Sequence, residues 1–121
     1  IVFGLGHGMC EAVWLFSTAW STIISLDPSQ MILPVVERLL AITIHVGFSV
    51  MIWNGFQLDK RLRYLIMAIL AHGFVDALIP LAGRFGWGVL QLEGLVVGAA
   101  ALLLIYVIYS RKYYLQEELY V

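Results

Sequence analysis

Charge is what this sequence lacks. Only 12% of its 121 residues are charged, against 62% hydrophobic, and the mean hydropathy is +0.93. A water-soluble domain of this length needs far more polar surface. The composition therefore excludes a soluble globular protein and implies an integral membrane one. A net charge of −1 excludes any strong pull toward nucleic acid. The single cysteine, Cys10, excludes an internal disulfide and, like the four methionines, reads as a packing residue. Proline is scarce as well. Pro34 and Pro80 fall near the ends of apolar stretches, which speaks against helices broken at mid-membrane. Ile1 to Phe16 lacks a basic leading segment and contains Glu11, which excludes a signal peptide.

What is there is a series of apolar runs. Crossing a bilayer takes about 20 mostly apolar residues, and four stretches qualify, predicting helices over about 1–26, 34–53, 63–81 and 87–109. Asp27-Pro28-Ser29 is a turn with a good helix-start residue, Asn54-Gly55 reads as the end of the second run, and Gly83-Arg84-Phe85-Gly86 as the end of the third. The expected fold is thus all-α: a polytopic bundle of four transmembrane helices in one domain, residues 1–121. Because the chain opens inside an apolar run, we expect it to be the C-terminal part of a larger bundle. Lys60, Arg61 and Arg63 sit between the second and third runs, and Arg111 and Lys112 follow the fourth. Basic segments stay cytoplasmic, so the 54–63 loop and the 111–121 tail are expected inside, with the plasma membrane as location. Gln116 to Val121 reads as a frayed end.

The informative residues are polar ones at membrane depth, where ionisable groups are costly and face a partner or a wet cavity. His7 and Glu11 share a helix face at i,i+4; Glu37, Ala41, His45 and Ser49 form one stripe; His72 and Asp76 are again i,i+4. These are all three histidines of the chain. His45 lies nine residues before Asn54 and His72 nine residues after Arg63. At about 1.5 Å per residue both stand roughly 13 Å from the inner boundary, hence level with each other. Counting back from Asp27 puts Glu11 within about a turn of them. Gly4, Gly8 and Ala12 make a small-residue row beside the first stripe, and Gly94 and Gly98 repeat it in the fourth run; such rows let helices approach closely. The string "GLGHG" follows no strand, so it is not a phosphate loop.

Each polar residue has a plain reading and a chemical one. Glu11 is either a structural ion pair with Arg38 or a general base in a water pocket. His45 and His72 are either satisfied structural histidines or donors to the oxyanion that develops when water attacks a peptide carbonyl, with Asp76 orienting His72. Glu37 and Arg38, being adjacent, should not face each other, and each is expected to find its own partner. His7, Glu11, His45 and His72 also make a histidine/carboxylate set of the kind that holds zinc, although no HExxH pattern is present.

The strings "GLGHGMCEA", "ERLLAITIHVGFS" and "HGFVD", in order over residues 4–76, resemble the YhfC family of intramembrane proteases. That family is grouped with the PrsW-type and type II CAAX prenyl endopeptidases. The resemblance implies a glutamate-type endopeptidase acting on a membrane protein or peptide within the bilayer. The first-motif glutamate falls on Glu11, the second-motif histidine on His45, and the third motif on His72 and Asp76. His7, Glu37, Arg38 and Ser49 would support them. The paired glutamates of the CAAX enzymes are absent: Cys10 precedes Glu11. The superfamily also includes a non-proteolytic scaffold subunit of gamma-secretase. A non-catalytic membrane subunit in a larger complex therefore stays open as a second reading, and a transporter or proton relay as a third.

Overall fold

A computed structural model describes residues 1–113 of the chain. The frayed end expected at Gln116 to Val121 lies outside the described residues. Five α-helices follow one another: α1 (Val2–Thr18), α2 (Trp20–Ile23), α3 (Ile32–Gln57), α4 (Arg61–Arg84) and α5 (Val89–Ser110). Short 3₁₀ turns precede α3 (Pro28–Met31) and follow α5 (Arg111–Tyr113). No strand occurs among the described residues. Among the described residues, three segments are long and apolar enough to cross a membrane: Pro28–Gln57, Arg61–Arg84 and Val89–Tyr113. The protein is an all-helical integral membrane protein.

The fourth span expected over 1–26 is not one helix. α1 has 17 residues, about 25 Å of rise against a hydrocarbon core of about 30 Å. It stops at Thr18, and two hydroxyls bond to carbonyls of its last turn. Ser17 Oγ donates to the Trp14 carbonyl at 2.7 Å and Thr18 Oγ1 to that of Leu15 at 3.0 Å, competing with the helix ladder.

α3 is also longer than expected. Asn54 and Gly55 do not end it; both are buried inside it. Asn54 is fully buried and donates from Nδ2 to the Tyr106 hydroxyl of α5 at 2.9 Å. Gly55 lets Tyr64 of α4 come close: a Cβ there would stand 2.5 Å from the Tyr64 Cβ. The hairpin from α3 to α4 is only Leu58 to Lys60. Asp59 takes a left-handed φ of 53°, Asp59 N–H donates to the Phe56 carbonyl, and Lys60 N–H to that of Gly55. This is the Schellman closure, usually made by glycine. Gly86 makes the same closure after α4, with φ 69° and Trp87 N–H on the Ala82 carbonyl. At the other end of α3, Asp27 caps the entry turn; its N–H donates to Gln30 Oε1 at 2.9 Å.

α3 is the hub, with α1, α4 and α5 all packed on it. Ile44 and Phe48 of α3, Ala68 of α4, and Val96, Ala100 and Leu103 of α5 form the buried core. It is small, as expected where lipid rather than water covers the other faces. Gly47 seats Leu103 of α5, and Gly4 and Gly8 seat α3 against α1. Gly94 and Gly98, expected to do likewise in α5, would have nothing within 4 Å of an added Cβ. Their close-packing role finds no partner among the described residues.

Candidate metal centre

The site grows from three helices meeting at one level. α1 brings His7 and Glu11, α3 brings His45, and α4 brings His72. Gly4 and Gly8 make the meeting close, because on α1 they flank that level. A Cβ at Gly4 would lie 2.5 Å from the His45 carbonyl oxygen. The His7 and His45 rings stack with centroids 4.6 Å apart, the His45 and His72 centroids are 4.8 Å apart, and His7 to His72 is 6.3 Å. Phe48, one turn along α3 from His45, lies against His72 at 5.6 Å.

Glu11 faces two partners. Its Oε2 is 2.8 Å from His45 Nε2 and its Oε1 is 3.5 Å from Arg38 Nη1. The same guanidinium reaches Glu37 Oε1 through Nη2. The expectation that neighbours Glu37 and Arg38 find separate partners is thus corrected. Spacing rules describe where Cβ atoms point, and the long arginine stem folds back past that limit. Glu93 of α5 is within electrostatic reach of Glu37 and Arg38. Asp76 Oδ2 is 2.8 Å from His72 Nδ1, which leaves Nε2 of that ring for the cluster. Ser49 lies one turn from His45, beside Gly4, and makes no hydrogen bond to the four.

His7, Glu11, His45 and His72 each offer one donor atom, and these four atoms lie within 4.8 Å of one another. A tetrahedral zinc with bonds of about 2.0–2.1 Å holds its donors about 3.3 Å apart. The longest of these separations would have to shorten by about 1.5 Å to close the set. The second shell fits too, since a ligating imidazole normally gives its other N–H to a carboxylate, and Asp76 stands there for His72. Charge also agrees. Glu11, Glu37 and Asp76 line the small cavity behind the histidines, with Arg38 the only Lys or Arg among the described residues of its wall. Counted formally, three carboxylates against one guanidinium leave −2, which a divalent cation would neutralise.

Two contacts were not foreseen from the sequence, the Asn54–Tyr106 bond and the ring of Phe48 on His72. The first has no signal at the level of spacing, since the partners are 52 residues apart. The second could have been read from the i,i+3 spacing of His45 and Phe48.

Comparison with known families matches residues 16–100 to the YhfC intramembrane metalloprotease family. That stretch is more than half of the chain and holds His45, His72, Asp76, Glu37, Arg38 and Ser49; it begins after His7 and Glu11. Neither the comparison with curated proteins nor that with solved structures gives a match.

Proposed function

This chain belongs to the YhfC intramembrane metalloprotease family, and we propose that it is an endopeptidase whose metal is held by His7, His45 and His72 and whose general base is Glu11. The observation that carries this is the convergence of all three histidines of the chain, from three helices, with Glu11 among them. A catalytic site keeps three protein ligands and one open position, whereas four protein donors make a closed, structural set. Glu11 is the one that stands outside, because Arg38 already holds one of its oxygens.

A divalent cation held by the three imidazoles would supply Lewis acidity toward water and the scissile carbonyl. Everything else falls to the chain. Glu11 takes the proton of the attacking water on a carboxylate oxygen and gives it to the leaving amine. Arg38, shared between Glu11 and Glu37, fixes where that carboxylate stands. Asp76 accepts the Nδ1 proton of His72 and so sets its tautomer. α1 packs along α3 and brings its two residues to the level of His45, which supports reading it as the fourth helix of the bundle. Lys60, Arg61 and Arg63 at the α3–α4 hairpin favour a cytoplasmic position for that end. α3 and α4 run unbroken past the histidines, unlike the split helices of many transporters.

Two measurements test the assignment on the full-length protein in vesicles. Stripping the metal with a chelator should abolish cleavage of a membrane-spanning peptide, and zinc should restore it. Asp76→Asn should lower metal affinity about 10- to 100-fold. Cleavage that continues after complete metal removal, or Asp76→Asn protein with unchanged metal affinity, would overturn the respective role.

A further inference from the structure

The histidine cluster has two unlike faces. Behind it, toward the start of α3, lies the charged cavity of Glu11, Glu37, Arg38 and Asp76. Its volume is about 50 Å³, room for a water or two and no peptide. In front, toward the α3–α4 hairpin, lies an open cleft of about 410 Å³. A second cleft of about 470 Å³ continues it, sharing Phe3, Ser49 and Ile52. Together they run from His45 to Phe56 along α3, about 16 Å parallel to the helix axis. Each is of ligand-site size. Their floor is α3. Their walls are α1 and α4, which both pack on α3 and at most touch each other, so among the described residues the groove is open on the side between them. Gly73 and Ile69 stand at that mouth; an added Cβ at Gly73 would meet nothing within 4 Å, and Ile69 is 61% exposed.

Apart from the histidines, Ser49 is the one polar side chain among the described residues of the first cleft. Hydroxyls on membrane helices usually close on a carbonyl of their own helix. Thr43 does so on Leu39 at 2.9 Å and Ser110 on Val107 at 3.1 Å. Ser49 has no hydrogen-bond partner among the described residues.

We propose that this groove takes an apolar polypeptide segment opened from its helical form, entering from the lipid between α1 and α4, and that Ser49 binds its backbone. About 16 Å accommodates roughly five extended residues. A peptide unwound within the bilayer leaves amides and carbonyls unpaired, which lipid cannot satisfy. A hydroxyl can both donate to and accept from them. An acyl chain would have no use for it. The inference rests on the cluster being the hydrolytic centre, and the two can fail separately.

The test uses full-length Glu11→Gln protein in phosphatidylcholine vesicles with a synthetic Leu/Ala membrane-spanning peptide. A photo-crosslinking benzoylphenylalanine replaces Ile69 at the groove, or Ile79 at the charged cavity. The peptide should crosslink from position 69 about tenfold more than from 79. Ser49→Ala should raise the half-saturating peptide concentration about three- to tenfold, the worth of one hydrogen bond, and Ser49→Thr should restore it. Equal yields from the two positions, crosslinks from position 69 to lipid or to another part of the same protein, or no effect of Ser49→Ala would overturn the proposal. Cleavage by the wild type without crosslinking from position 69 overturns this inference alone. Crosslinking as described, with no cleavage by the wild type, supports the groove and removes the protease assignment.

Discussion

Glu11→Gln should lower the turnover of peptide cleavage about 10²- to 10⁴-fold, the usual span for loss of a general base, and leave the bound metal in place. The substitution is nearly isosteric. The glutamine oxygen still accepts from Arg38, so the contact at 3.5 Å keeps a donor and an acceptor, and the His45 lone pair stays with the metal. What is lost is the ability to take a proton from water and return it to the amine. The loss corresponds to about 2.7–5.5 kcal/mol of barrier. His45→Ala provides the contrast, because it removes a ligand: it should lose metal and activity together. The pair of variants separates three readings of the same residues. A general base outside the metal shell predicts dead protein with metal retained. Glu11 as an obligatory fourth ligand predicts that metal is lost in both. A purely structural role predicts that Glu11→Gln weakens folding or assembly, since one charge of the Arg38 pair is gone, while a wild type with no peptidase activity leaves nothing further to lose. Metal content, a melting temperature and single-turnover cleavage on one preparation distinguish them.

Much of this site is legible in the amino-acid sequence, and the reason is geometric. Helical residues four apart share a face, so His7 with Glu11 and His72 with Asp76 follow from spacing; His72 and Asp76 are in fact 2.8 Å apart. A short hairpin between two antiparallel helices makes equal distances from the turn into equal depths. His45 is thereby expected level with His72, and their rings are 4.8 Å apart. What escapes such reading depends on partners distant in sequence. Asn54-Gly55 carries a strong local turn signal, yet the helix continues because Tyr106 satisfies the Asn54 amide and Tyr64 fills the space over Gly55. Hydropathy makes one span of residues 1–26, and it does not register that α1 stops at Thr18. The small-residue rule works for Gly4 and Gly8 and finds no partner for Gly94 and Gly98. Small residues show that a helix can be approached closely, not which helix approaches.

The two glycine classes on α1 give the second large effect. Gly4→Ala should disrupt the site, whereas Gly6→Ala, two residues away, should not. At Gly4 the added methyl would lie 2.5 Å from the His45 carbonyl oxygen and 2.8 Å from the Val46 Cα. Both are backbone atoms of a helix, so no side chain can swing aside and α1 itself must move off α3. Overpacking of this kind costs about 1–3 kcal/mol. The displaced helix carries His7 and Glu11 with it, and a misplacement of about 1 Å in a reacting constellation can cost about 10²-fold in rate. At Gly6 nothing lies within 4 Å of the new Cβ. There the helix preference of alanine over glycine, up to about 1 kcal/mol, acts alone and should stabilise α1 slightly. Gly4→Ala should therefore lower the melting temperature, metal affinity and cleavage together, while Gly6→Ala leaves metal and cleavage within about twofold, as is typical of an unpacked surface site. If both variants behave alike, α1 does not dock on α3 through its glycines, and the convergence of His7 and Glu11 with His45 and His72 loses its structural basis.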